Sequence, residues 1–126
     1  MEKVLIIVRN DVLRVYLELK TSRKYEVKAV KSPSEGLEWL DRNQVSLILT
    51  DYQKGITEED FLLRQIETVA FWSGASLLVV KDDKDITLPK KNRLIQSVTK
   101  SLLSIKLCPK IRSLVNSASL KNSEIN

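Results

Sequence analysis

The sequence has 126 residues, a formal net charge of +5, no His, one Cys and three Gly. These numbers exclude imidazole catalysis and imidazole metal sites, an internal disulfide framework, a Cys-rich zinc site and a glycine-rich phosphate loop. The length suits one domain with a full core, no apolar run approaches the roughly 20 residues of a membrane span, and no secretory signal precedes the first apolar run, so a cytoplasmic domain is expected.

The chain opens on residues 4–8 (VLIIV), a continuous apolar run of strand length. Such runs belong to strands buried on both faces, as in parallel sheets. Asn10 or Asp11 can cap the helix that follows, with Val12, Val15, Tyr16 and Leu19 at helical spacing. Residues 25–30 (YEVKAV) alternate apolar and polar, the pattern of a more exposed strand. Ser32-Pro33-Ser34-Glu35 starts a second helix, with Ser34 expected as its cap and Leu37, Trp39 and Leu40 on it. Residues 45–49 (VSLIL) form another apolar strand, ending at Thr50-Asp51. A long helix carries Phe61, Leu62, Ile66 and Val69 and breaks at Gly74, before a buried strand at 77–80 (LLVV).

Beyond residue 80 the pattern changes. Residues 86–88 have strand character, but only residues 81–85 (KDDKD) separate them from the preceding strand. Five residues suit a hairpin, whereas a parallel crossover needs about a dozen. The segment is therefore expected as a short antiparallel edge strand or no strand, ended by Pro89. Leu94, Ile95, Val98, Leu102 and Ile105 then read as a helix stripe, and Pro109 as an interruption before a short helix carrying Ile111, Leu114, Val115 and Ala118.

Strands alternating with helices predict an α/β fold with a mainly parallel central sheet. Function in such sheets gathers at the carboxyl ends of the strands. Here those ends carry Val8, Arg9 and Asn10, then Asp51 and Tyr52, then Lys81 and Asp82.

Four stretches, at 4–20, 25–43, 45–55 and 76–83, resemble the receiver domain of two-component response regulators. The helix start SPSEGLEWL and the strand ending in Asp51 carry most of the likeness. The resemblance implies a flavodoxin-like receiver fold with helices on both faces, here without room for the usual fourth helix. It divides the chain into a receiver-like domain at 1–107 and an extension at 108–126. It also implies that Asp51 occupies the phosphoacceptor position. The family's Mg²⁺-holding acidic pair is replaced by Val8 and Arg9. Lys81, or Val80 if the strand slips by one, falls where a Thr or Ser ends the fourth strand. Lys90 is the best counterpart of the Lys that ends the fifth.

The chemistry of these replacements points away from metal-dependent phosphoryl transfer. Mg²⁺ takes hard oxygen ligands, and a cation at Arg9 repels it. Asp51 then has three readings: a retained phosphoacceptor, an acid paired with Arg9 or Lys81, or a loop residue with neither role. Asp11 reads as a helix cap rather than a metal ligand, and Asp82, Asp83 and Asp85 as a solvated turn. Trp39 is expected in the core, Trp72 partly buried, and Cys108 packed and inert.

The charge is uneven. Residues 1–80 hold 11 Lys/Arg against 12 Asp/Glu, and residues 81–126 hold 10 against 4, so the basic excess is C-terminal. A solvated helix face is the commoner reading of such a run. Aromatic stacking residues are absent from it, which disfavours single-stranded nucleic acid.

Three functions remain. The first is a degenerate, non-enzymatic receiver acting through a signalling partner or self-association, with no cofactor. The second is a working receiver, phosphorylated on Asp51 by a histidine kinase with Mg²⁺. The third is a basic nucleic-acid accessory domain.

Overall fold

The computed structural model describes residues 2–52, 57–83 and 95–125, with side chains described outside residues 52, 57–63 and 117–125. The first strand, β1 (Lys3–Ile7), is buried from Val4 onward, as its apolar run requires. The helix α1 (Asp11–Thr21) starts where the Asn10 carboxamide oxygen accepts the Leu13 N–H at 2.8 Å. Its buried side is not the expected stripe. Leu17 is buried and Leu13 and Tyr16 pack beside it, while Val12, Val15 and Leu19 face solvent.

β2 (Glu26–Val30) has the exposed alternation of an edge strand. α2 (Pro33–Leu40) is capped by Ser32, not Ser34: the Ser32 hydroxyl accepts the Glu35 N–H at 3.2 Å. Proline at the first helical position explains the shift, because its missing N–H falls where a helix has no internal acceptor anyway. β3 (Leu47–Tyr52) leads to α3 (Thr57–Ser73). Gly74 ends α3 with φ 77°, and the Ala75 N–H reaches back to the Ala70 carbonyl at 3.0 Å. That left-handed turn favours glycine. β4 (Ser76–Lys81) is buried through Val80.

The sheet then departs from the sequence reading. β5 (Ile95–Thr99) pairs with β4 in parallel, from Leu77 opposite Ile95 to Lys81 opposite Thr99. The expected antiparallel strand beside β4 is thus corrected to a parallel one, taken from the segment read as a helix stripe. Residues 82–94 join the two strands, long enough for a parallel crossover. Residues 86–88 and Pro89 lie outside the described residues, as does most of the connection in which the fourth helix was expected to be missing.

A short 3-10 turn (Lys100–Leu102) follows β5 and feeds α4 (Leu103–Ile125). Pro109 lies inside this helix rather than interrupting it. The division between 107 and 108 therefore falls within one helix. Leu107, Ile111 and Leu114 are buried, and each such side chain contributes about 1.5–3 kcal/mol on leaving water. Their sum outweighs the roughly 3 kcal/mol penalty of an internal proline. The Ser76 hydroxyl also donates to the Leu114 carbonyl at 2.9 Å, tying the helix to β4.

All five strands are parallel, in the order β2-β1-β3-β4-β5. Among the described residues there are four α-helices. One face of the sheet joins Val4, Ile6, Leu49 and Leu78 to the apolar sides of α1 and α4. The other joins Leu5, Ile7, Ile48 and Val79 to α2 and α3. No helix of the described residues is long and apolar enough to cross a membrane. The chain leaves β1 toward β2 on one side and returns to β3 on the other. The strand order reverses between β1 and β3, which opens a crevice at their carboxyl ends.

Candidate functional site

The crevice is built from the segment after β1 and the end of β3. Val8 is fully buried, and its N–H donates to the Val30 carbonyl at 3.1 Å. Arg9 and Asn10 are exposed, and Asn10 spends its side chain on the α1 cap. Arg14, one turn into α1, closes over this segment. Its Nη1 donates to the Val8 carbonyl at 3.0 Å and the Arg9 carbonyl at 3.3 Å, while its Nη2 meets the Asp11 carboxylate at 2.6 Å. The hydrogen bond from Arg14, with the charges of Lys31 and Arg14, holds the Asp11 carboxyl below its ordinary value. Asp11 is thus committed to Arg14. The sequence reading passed over Arg14, although its spacing of three from Asp11 marks a helical ion pair.

Asp51 sits in β3 opposite Val80. Its neighbour Thr50 is buried and donates its hydroxyl to the Ile7 carbonyl at 2.9 Å, which holds β3 against β1 beside the site. Burial pushes the Asp51 carboxyl above its ordinary value. Its own backbone N–H, the charges of Lys100 and Arg9 and the Arg9 backbone pull the other way and do not overcome the burial.

Lys81 ends β4, half-buried, in register with Tyr52 on one side and Thr99 on the other. Lys100 is the residue that follows β5, and its ammonium lies 3.0 Å from the Asp82 carboxylate. The next backbone N–H, of Ser101, donates to Asp83 at 3.3 Å. The acidic turn after β4 therefore anchors the end of β5, a use the solvated-turn reading did not contain. The Lys100–Asp82 pair is about half exposed, so it contributes little by itself, on the order of 0–1 kcal/mol.

Lys90 was assigned on the premise that it ends the last strand. The last described strand is Ile95–Thr99, the residue after it is Lys100, and Lys90 lies outside the described residues. The signal for Lys100 was present in VTKSL, a Val-Thr strand end followed by Lys, but the helix reading of residues 94–105 hid it. Trp72 is 80% exposed rather than partly buried, with Phe71 edge-on to it at 5.8 Å, and Cys108 is exposed rather than packed. Trp39 packs partly buried against the face of α2 and α3.

The donor set does not fit the Mg²⁺ ion that the receiver resemblance implies. Mg²⁺ needs near-octahedral oxygen ligation, usually with one or two carboxylates. The two positions after β1 supply an apolar side chain and a cation, and Asp11 is held by Arg14. Among the described residues no group of three His, Cys, Asp or Glu side chains converges. What the crevice does offer is a half-buried carboxylate between cations from two other segments.

No family model matches the sequence, and no curated protein matches it. Solved structures do. An adenylate cyclase structure from Rhodopirellula baltica superposes with a TM-score of 0.82 at 16% identity, covering 98% of this chain and 93% of that one. The signal receiver domain of an HD domain-containing protein from Pseudomonas fluorescens gives 0.77 at 15% identity, covering 94% and 97%. A CheY-like response regulator receiver domain protein from Methanospirillum hungatei gives 0.75 at 16% identity, covering 96% and 98%. With the strand order and the helices on both faces, these likenesses establish that the chain has the fold of a response regulator receiver domain.

Proposed function

We propose that this chain is a cytoplasmic, non-enzymatic receiver-type signalling module that acts through protein contact, with a signalling partner or a second copy of itself, and without Mg²⁺-dependent phosphorylation of Asp51. The observation that carries this reading is the charge set around Asp51. Lys100 and Arg9 act on a carboxylate that burial has already made reluctant to ionise. Phosphoryl transfer needs a cation free to bridge the incoming oxygens. Here fixed side-chain cations stand near the acceptor, and Val8 and Arg9 occupy the positions of the acidic pair. A dication entering beside Arg9 meets repulsion instead of ligands.

The test is amide NMR of the protein while Mg²⁺ and then beryllofluoride are added. Unmoved resonances at Arg9, Asp51, Lys81 and Lys100 are the expected result. Concerted shifts spreading from Asp51 to Lys81 and Lys100 would overturn the reading and make Asp51 a phosphoacceptor for a histidine kinase.

A further inference from the structure

A second site lies away from the Asp51 crevice, where the end of α1 and the turn into β2 face the middle of α4. A cavity of about 190 Å³ opens there. Its cations come from two separate parts of the chain: Lys20, Arg23 and Lys24 from the end of α1 and its turn, and Arg112 from α4. Among the described residues no carboxylate lines it. Its walls also include the half-buried ring of Tyr25 and the buried side chain of Ile111.

Thr21 belongs to the same wall. It is 2% exposed, and its hydroxyl has no hydrogen-bond partner among the described residues. Buried hydroxyls are normally satisfied, and an orphaned one asks for an explanation. Less than 1 Å² of the hydroxyl oxygen is accessible, so it lies behind the cavity wall and does not meet a bound group.

Cations also gather at helix C-termini to meet the last carbonyls. Most of those carbonyls are met within the chain here. The Glu18 carbonyl accepts the Ser22 N–H at 2.9 Å, and the Thr21 carbonyl accepts the N–H groups of Lys24 and Tyr25 at 3.2 and 3.1 Å. Lys20 lies over the Tyr16 ring at 5.8 Å, so it has a second attachment. Arg23 and Lys24 stand at this helix end, but Arg112 reaches the cavity from elsewhere and the helix end does not account for it.

We propose that this cavity binds a small organic phosphate. The phosphate would take charge-assisted hydrogen bonds from Arg23, Lys24 and Arg112, the pairing that guanidinium forks favour. The organic part would lie on Tyr25 and Ile111. The chemical logic is the joining of a phosphate-sized charge site to an apolar and aromatic wall, a pocket with few polar groups that fix orientation. This inference does not depend on the reading of Asp51.

The experiment uses the full chain and two probes, AMP and inorganic pyrophosphate, in calorimetry and amide NMR at physiological salt. Saturable shifts confined to residues 20–25 and 108–112 are expected with both probes, and those at Tyr25 and Ile111 should be larger with AMP, whose base would lie there. Arg112→Ala should weaken binding about tenfold, the loss of one charge-assisted contact. Lys106→Ala, on the same helix but off the cavity, should change nothing. Shifts scattered over all the exposed lysines, or equal binding by the Arg112→Ala protein, would overturn the proposal. So would binding of single-stranded RNA with no binding of either probe.

Discussion

Asp51 is a half-buried carboxyl near the end of β3. Its carboxyl titrates above its ordinary 3.8 because burial outweighs the pull of nearby cations. A carboxyl raised in the folded state stabilises the fold below its unfolded pKa and loses that contribution as pH rises through the folded value. Asp51 therefore favours folding at pH below about 3.8 and works against it above the raised value. Asp51→Asn should be more stable than the parent at neutral pH, and the difference should vanish at acid pH. Urea midpoints measured across that range check this. Glu67, also raised by burial, stays in both proteins, so the difference isolates Asp51. A variant less stable at neutral pH would mean that Lys100 and Arg9 compensate the burial fully. Arg14 acts in the opposite way. Its guanidinium holds two backbone carbonyls after β1 and so fixes the crevice wall without any metal.

At the scale of elements, the first seven were legible in type and order, although α1 buries a different side from the one its spacing suggested. The continuous apolar runs of β1, β3 and β4, the alternation of β2 and the polar caps before α1 and α2 all agree with one another. The reading failed at β5 for a physical reason. Gln96, Ser97 and Thr99 make it a polar edge strand with only Val98 buried. Ile95, Val98, Leu102 and Ile105 then matched a helical spacing that in fact crosses a strand, a turn and the start of α4. Without that strand, Lys100 could not be placed after β5, whereas the apolar runs alone put Val8, Arg9, Asn10 and Asp51 at the ends of β1 and β3. Pro109 failed differently, since packing of the whole of α4 overrides a local preference.

Element packing also sets a sharp test at α2. A Cβ on Gly36 would collide with the buried Ile7 side chain, meeting Cγ1 at 2.7 Å and Cδ1 closer still. Gly36→Ala gains about 1 kcal/mol of helix propensity, but overpacking costs about 1–3 kcal/mol. The expected net is destabilisation by about 1 kcal/mol. Ile7→Val removes the Cδ1 methyl, so the double variant should be less destabilised than the sum of the two single changes. Strict additivity in thermal unfolding would contradict the close approach.

For the whole molecule, the decisive feature is that α4 completes the core. Leu114 is fully buried on the face shared with α1. Leu114→Ala should destabilise by about 2–5 kcal/mol, as cavity-forming changes do. A chain cut after residue 107 should give no dispersed amide spectrum. A folded fragment would restore the division between a domain and an extension.

The position of α4 carries a further consequence for how the protein is made. Synthesis delivers β1 to β4 long before residues 103–115 emerge, so the nascent sheet waits with one apolar face covered by α1 alone. Domains assemble as units, and exposed apolar surface during that wait is a hazard. The helix that closes this face of the sheet leaves the ribosome after every strand it covers. The interval before it arrives is when a chaperone, or another nascent copy, finds Leu78 and Val80 uncovered.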